Sequence, residues 1–176
     1  MNKIIRLAMA GIMAVALCAC GSSNAASSGE DKKTEAGMGE TLSTMFFDVT
    51  LDNASLADSV GEVLVGKQNK FLIVDITVTN TTGSPIEMAD SDFWAKWGDG
   101  DEEYDAPITA YGEEVDLTDG LPSRYTLAAG EAKSGKLVFV TDKEKTSFQL
   151  VTEDYYSEGG GNAKKGDTYT FTFDVK

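Results

Sequence analysis

The stretch FLIVDITVTN, residues 71–80, decides the fold, because its apolar residues recur at every second position. One row consists of Leu72, Val74, Ile76 and Val78, and the other consists of Ile73, Asp75, Thr77 and Thr79. Successive side chains of a β-strand point to opposite faces of the sheet. The pattern therefore predicts a strand that buries the first row in a core and turns the second row toward solvent.

Two further runs alternate in the same way, one on each side of this stretch in the sequence. Their apolar rows are Met45, Phe47, Val49 and Leu51, and Tyr169, Phe171, Phe173 and Val175. Shorter strand candidates are 63–65, 93–97, 124–127, 136–140 and 148–152. Gly-containing turns separate many of these runs, and helical spacing is nowhere sustained, although 53–60 fits one short turn. The chain is therefore predicted to be all-β, an immunoglobulin-like antiparallel β-sandwich of about eight strands, with a closed barrel as the alternative.

Composition and charge narrow the function classes. The 176 residues include 15 Lys and Arg, 29 Asp and Glu and no His, which gives a formal charge of −14. This negative charge repels phosphate backbones, so nucleic acid is not expected as a partner. The absence of His removes the commonest general base and the commonest zinc ligand.

The N-terminal residues resemble an export signal. Lys3 and Arg6 precede LAMAGIMAVAL, residues 7–17, an apolar run of eleven residues. A membrane-spanning helix needs about 20 apolar residues, so this run fits the hydrophobic part of a signal peptide instead. We therefore expect residues 1–19 to form a signal peptide.

The sequence LCACG, residues 17–21, resembles a bacterial lipobox, in which a small residue precedes the cysteine that is lipidated. Ala19 precedes Cys20, whereas the bulky Leu17 precedes Cys18, so Cys20 is the predicted lipidation site. Cys18 would leave with the signal peptide, and the mature domain would contain no free thiol. Acyl chains would then hold the protein on the outer face of the cell membrane.

The segment after Cys20 lacks the residues that build a core. Residues 21–40, GSSNAASSGEDKKTEAGMGE, contain no aromatic and no β-branched aliphatic residue. Such a segment cannot bury enough surface to offset its chain entropy. We expect 20–40 to be the lipidated Cys and a flexible linker, and 41–176 to be the sandwich domain.

Three stretches of the folded part resemble a family of Gram-positive surface lipoproteins with a domain of unknown function. They are FLIVDITVTN (71–80), FWAKWGDGDEEY (93–104) and YTLAAGEAKSGKLVFV (125–140). The family is grouped with telokin-like and mycobacterial immunoprotective extracellular antigen sandwiches. The resemblance implies an immunoglobulin-like fold outside the cell, and it supplies no catalytic residues.

Carboxylates are concentrated between Glu87 and Asp119, where twelve acidic residues accompany a single cation, Lys96. Four of them, at Asp99, Asp101, Glu103 and Asp105, recur at every second position, as in the first half of an EF-hand loop. Tyr104, however, stands where that loop requires Gly, and its twelfth position lacks Glu. A solvated acidic surface is therefore the preferred interpretation, and a Ca²⁺ site in 87–119 is the alternative.

Trp94, Trp97 and Tyr104 lie close to this acidic region in sequence and are candidates for an interaction surface, because aromatic residues often anchor interfaces. Trp94 and Trp97 are three positions apart, so a strand would turn them to opposite faces. No nucleophile motif or nucleotide-binding glycine motif is present. The sequence predicts a lipid-anchored, non-catalytic domain that binds another protein or an envelope component, with no cofactor and no metal. The alternatives are a Ca²⁺- or solute-binding lipoprotein that uses the acidic 87–119 region and a purely structural surface protein.

Overall fold

The computed structural model describes residues 33–98, 104–111, 117–157 and 163–176, and these residues form thirteen strands. The first seven are β1 (Lys33–Ala36), β2 (Thr41–Ser43), β3 (Phe47–Ala57), β4 (Ser59–Val60), β5 (Val63–Leu64), β6 (Asn69–Asn80) and β7 (Ile86–Ala89). The other six are β8 (Phe93–Lys96), β9 (Tyr104–Asp105), β10 (Arg124–Leu127), β11 (Ala132–Asp142), β12 (Ser147–Tyr156) and β13 (Lys164–Asp174). Two short 3-10 helices occupy Asp90–Asp92 and Ile108–Tyr111.

The strands are arranged as two main sheets. The front sheet has the order β1-β13-β12-β8-β9, and the back sheet has the order β11-β6-β3-β2. A ribbon of β7 and β10 and a hairpin of β4 and β5 accompany them. Pairing is antiparallel except between β1 and β13. The predicted all-β antiparallel sandwich is confirmed, with more strands than the eight expected, because strands of two to four residues are too short to show alternation.

The core lies between the two sheets and is built from the predicted rows. Leu72, Val74, Ile76 and Val78 of β6 are all 0% exposed. Phe93, Phe148, Phe171 and Phe173 of the front sheet belong to the same buried cluster. The ring centroids of Phe47 in β3 and Phe93 in β8 are 6.1 Å apart in an edge-on arrangement, which joins the sheets.

Two expectations near β3 are wrong. Met45 was placed in the apolar row, but it precedes the strand and is 56% exposed, because the chain turns where Thr44 Oγ1 accepts hydrogen bonds from the N–H groups of Phe46 and Phe47. The short helical turn expected at 53–60 is replaced by strand, since β3 continues to Ala57 after a register shift between Leu51 and Asn53.

Part of the expected linker is also ordered as strand. Lys33–Ala36 pairs in parallel with β13, from Lys33 opposite Thr168 to Ala36 opposite Phe171. The chain then turns at Gly39, whose φ is 82°, and enters the back sheet as β2. The domain boundary expected at residue 41 therefore lies earlier. β1 is held by its backbone pairing with β13, and such pairing cannot be predicted from the side-chain composition of the segment.

Asn80, at the end of β6, joins two of the stretches on which the family resemblance rests. It is 1% exposed, and its Nδ2 donates to the carbonyl oxygens of Leu127 and Ala128, each at 3.0 Å. The N–H of Gly130, which has a φ of 74°, donates to the Asn80 carbonyl at 3.1 Å. The first and third stretches therefore meet at one corner of the sandwich.

A buried carboxylate links the front sheet to the segment that precedes β3. Asp154 lies at a bulge between Glu153 and Tyr155 in β12. Its Oδ2 accepts hydrogen bonds from the Met45 N–H at 3.0 Å and from the Tyr169 hydroxyl at 2.9 Å. Burial, followed by the hydrogen bond to Asp154, raises the pKa of Tyr169. These groups are satisfied by one another and are structural.

The outer face of the back sheet is half covered. A second cluster, which we call the outer cluster, consists of Val60, Phe71, Ile108 and Val138, all at most 4% exposed. Further along the same strands, Thr77 of β6 hydrogen-bonds Asp52 at 2.7 Å and Ser134 at 2.8 Å. One end of this face is therefore a small core, and the other is a polar surface.

Candidate functional site

The ribbon of β7 and β10 borders a cleft of about 560 Å³, which we call the ribbon cleft. Its polar and charged lining residues are Glu87, Ser91, Asp92, Arg124, Tyr125 and Thr126. Pockets that bind small molecules have volumes of about 300–1,000 Å³, so the ribbon cleft has the size of a binding site.

The register of the ribbon decides which side chains face outward. Met88 lies opposite Tyr125 on the inner side, where Met88 is buried and Tyr125 packs against the core. Alternation turns Glu87, Ala89, Arg124 and Thr126 to the outer side, where Glu87 and Arg124 are exposed. The ribbon thereby anchors itself through apolar residues and presents charges of both signs on its other face.

The two charges on that face are not joined by close contacts, although Arg124 acts electrostatically on Asp92. Neither Arg124 nor Glu87 forms an ion pair or a side-chain hydrogen bond with another residue in the described ranges. Glu87 lies opposite Thr126, and Arg124 lies opposite Ala89. The side chain opposite the guanidinium is therefore a single methyl group, which leaves space beside the cation.

Two aspartates flank the ribbon in the 3-10 helix Asp90–Asp92. Asp90 is 2% exposed and accepts a hydrogen bond from the Thr109 hydroxyl. Asp92 accepts one from the Ala89 N–H at 2.7 Å. Burial raises the pKa of the Asp92 carboxyl, and the charge of Asp90 raises it further, against smaller opposing effects that include Arg124. The negative charge of this carboxylate is therefore incompletely compensated.

The hydroxyl of Tyr125 is buried beside these acids and has no hydrogen-bond partner among the residues that the structure describes. Burial raises the pKa of this hydroxyl strongly, and the charges of Asp92 and Asp90 raise it further. Leaving a buried hydroxyl unpaired costs about 1–3 kcal/mol. Perturbed titratable groups in a cleft are typical of functional sites, which makes the ribbon cleft the candidate site.

Of the acidic 87–119 region singled out in the sequence, Glu87 and Asp92 line the ribbon cleft. Asp99, Asp101 and Glu103 fall outside the described residues, as do Cys18, Cys20 and the whole signal peptide. Asp105 is described, and its Oδ1 accepts a hydrogen bond from the Ala106 N–H at 2.9 Å. Within the described ranges, no group of three or more acidic, Cys or His side chains is arranged to hold a metal ion.

The aromatic candidates are separated as expected. Trp97 packs against the core cluster, whereas Trp94 lies opposite Val151 on the outer side of the front sheet. Tyr104, opposite Lys96, is exposed. None of the three lines the ribbon cleft. Sequence reasoning placed Arg124 and Tyr125 in a strand and did not identify them as a site, since β7 and β10 are far apart in sequence and meet only through pairing.

No helix in the described part of the chain is long and apolar enough to cross a membrane.

Solved structures with a similar fold come from Bacillus subtilis. A candidate lipoprotein, ycdA, superposes with a TM-score of 0.56 at 22% identity, covering 79% of this chain and 39% of that chain. The yjhA protein superposes with a TM-score of 0.55 at 18% identity, covering 78% of this chain and 99% of that chain. The present chain thus spans well under half of ycdA. At these identities the likeness shows a shared fold.

The sequence was also compared with protein families and with curated proteins. No curated protein sequence matches the chain. The model described as "Domain of unknown function (DUF4352)" matches residues 36–164. This match covers the three stretches that carried the family resemblance and begins inside β1. It includes every residue named for the ribbon cleft. The chain therefore belongs to the DUF4352 family of domains of unknown function.

Proposed function

We propose that this protein is a non-catalytic binding domain, held on the outer face of the cell membrane by a lipid on Cys20, with the ribbon cleft as its binding surface. The observation that carries the proposal is the ribbon cleft itself. It presents an exposed guanidinium, Arg124, and an exposed carboxylate, Glu87, that form no ion pair with described residues. Exposed charges that form no ion pair in the free domain can pair with a charged ligand.

The membrane location rests on two separate observations. The LCACG stretch resembles a lipobox and follows an apolar run too short to span a membrane. The ycdA protein, whose fold is similar, is described as a candidate lipoprotein. Attachment through a lipid would leave the sandwich in the extracytoplasmic space, and the charge of −14 disfavours nucleic acid as a partner there.

The chemistry of the cleft and the composition of the chain support a non-catalytic role. The sequence contains no His, and both cysteines precede residue 21. The two carboxylates beside the cleft already accept hydrogen bonds, Asp90 from the Thr109 hydroxyl and Asp92 from the Ala89 N–H.

Lipidation is tested by intact-mass analysis of membrane extracts. Cys20→Ala should abolish the acyl adduct and release the protein from the membrane fraction, whereas Cys18→Ala is the matched control and should leave both unchanged. An unmodified Cys20 in the wild-type protein would overturn the anchoring part of the proposal.

Binding is tested by screening a labelled domain, residues 33–176, by NMR against amino acids, short peptides, sugars and CaCl₂. We expect amide-shift changes to concentrate on β7, β10 and the Asp90–Asp92 helix, and Arg124→Gln to reduce them. Ligands that shift amides only on other faces would overturn the assignment of the cleft. A Ca²⁺ response confined to residues 99–119, outside the ribbon and the Asp90–Asp92 helix, would favour a Ca²⁺-binding lipoprotein instead.

A further inference from the structure

The backbone of the ribbon shows which of its peptide groups pair within it. The Asp90 N–H donates to the Ser123 carbonyl at 3.3 Å, and these two residues continue the register of β7 and β10 by one position. In an antiparallel ladder, hydrogen-bonded pairs alternate with pairs that are not hydrogen-bonded. Met88 and Tyr125, two positions further along, therefore form a hydrogen-bonded pair.

The intervening pairs, Glu87 with Thr126 and Ala89 with Arg124, are then not hydrogen-bonded, and their backbone groups point away from the ribbon. The Ala89 N–H agrees with this direction, because it donates to the Asp92 carboxylate at 2.7 Å rather than to β10. The outer edge of β7 is thereby partly occupied. The outer edge of β10 carries the N–H and C=O groups of Arg124 and Thr126, for which no other described residue supplies a partner.

An edge with unpaired N–H and C=O groups at every second residue is a template for another strand. Arg124 and Thr126 are exposed and line the ribbon cleft, and no third strand of the described ranges pairs with the ribbon. We infer that β10 binds an extended peptide segment of another protein, which adds to the ribbon as a third strand through these backbone groups. This inference rests on the proposed function, since it names the partner class of the same cleft.

The inference is tested by hydrogen exchange and NMR on the labelled domain, residues 33–176. In the free domain we expect the Met88 and Tyr125 amides to be protected and the Arg124 and Thr126 amides to exchange fast. The capped peptide acetyl-Lys-Thr-Val-Thr-Val-Thr-Lys-amide should slow exchange at both Arg124 and Thr126. The same peptide N-methylated at its central Val-Thr-Val cannot donate from either edge of that segment, and it should bind about tenfold more weakly.

Thr126→Pro tests the edge from the side of the domain, because it removes an N–H that the ribbon does not use. We expect this variant to remain folded and to bind the peptide about fivefold more weakly or worse. Thr126→Val retains the N–H, so it is the matched control and should bind the peptide like the wild-type domain. Hydrogen exchange of the wild-type domain keeps the test valid even where Thr126→Pro does not fold.

Three outcomes would overturn the inference while leaving the proposed function intact. They are protected Arg124 and Thr126 amides in the free domain, equal binding of the N-methylated peptide at the ribbon, and a peptide that leaves the ribbon amides unchanged while another ligand of the screen shifts them. Shift changes confined to other faces for every ligand, the peptide included, would overturn both the inference and the proposed function.

Discussion

The two ends of the outer face of the back sheet differ sharply although the same strands build both. At one end, Phe71 and Val138 are buried in the outer cluster beneath the β4–β5 hairpin and the Ile108–Tyr111 helix. At the other end, Thr77, Asp52 and Ser134 form hydrogen bonds at the surface. The difference teaches that alternation fixes which face a side chain takes, while the chemistry of the outward row indicates where another segment covers the sheet.

The outward row of β6 carries this information in order. Phe71 and Ile73 come first, and Asp75, Thr77 and Thr79 follow. The covering hairpin and helix lie over the apolar members of the row. An outward row that is apolar at one end predicts a local cover there, whereas a row that is polar throughout predicts open solvent.

The largest loss of stability is expected when a charge is placed on the inner face of the back sheet. Val74→Asp places a charge among core residues that are 0% exposed, where an unpaired carboxylate costs several kcal/mol. We expect the domain to be largely unfolded by circular dichroism at 25 °C. A cooperative urea transition close to that of the wild-type domain would show that the inner face is not the main core.

Phe71→Ala removes a buried aromatic ring from the apolar end of the outer face. Phe71 is 3% exposed, and truncating a buried Phe to Ala costs about 3–5 kcal/mol. We expect a loss near 3 kcal/mol in urea unfolding, because the outer cluster is small and can partly collapse. A loss no greater than that of Thr77→Ala would contradict the contrast between the two ends.

Gly135→Ala tests the inner face of the back sheet at β11, where Gly135 lies opposite Ile76 and residues 119–121 pair with Lys136. A Cβ at Gly135 would lie 2.7 Å from the Leu121 side chain, and Leu121 N–H donates to the Lys136 carbonyl at 3.0 Å. We expect a destabilisation of about 1–3 kcal/mol from overpacking. Adding Leu121→Ala should cost less in the Gly135→Ala protein than alone, which a double-mutant cycle measures. Strictly additive losses would mean that the two residues do not touch.

The smallest effect is expected at the polar end. Thr77→Asp loses two hydrogen bonds and adds a charge close to Asp52, yet the new carboxylate can remain hydrated. We expect a loss of about 1 kcal/mol that shrinks as NaCl is added, because surface repulsion is screened. Damage equal to that of Val74→Asp would show that both ends of the outer face are buried.

The sequence predicted the parts of this molecule that side-chain periodicity controls. The inward rows of β6 and β13, such as Val74 and Phe171, are buried as the alternation predicted. Strand β1 was not predicted, because its pairing with β13 depends on backbone hydrogen bonds between segments far apart in sequence. The ribbon cleft was not predicted for a related reason. Glu87 and Arg124 share a face only through the register of β7 and β10, and nothing local in either strand specifies that register.

The parallel pairing of β1 with β13 has a mechanical consequence. If a lipid on Cys20 holds the chain, any drag on the domain is transmitted through Lys33 into β1. A pull along β1 would load the backbone hydrogen bonds between β1 and β13 in shear, so that these bonds resist the force together. A pull perpendicular to the strand would break the same bonds one at a time. A strand that contributes almost nothing to the core would then be the joint that bears tension between anchor and sandwich.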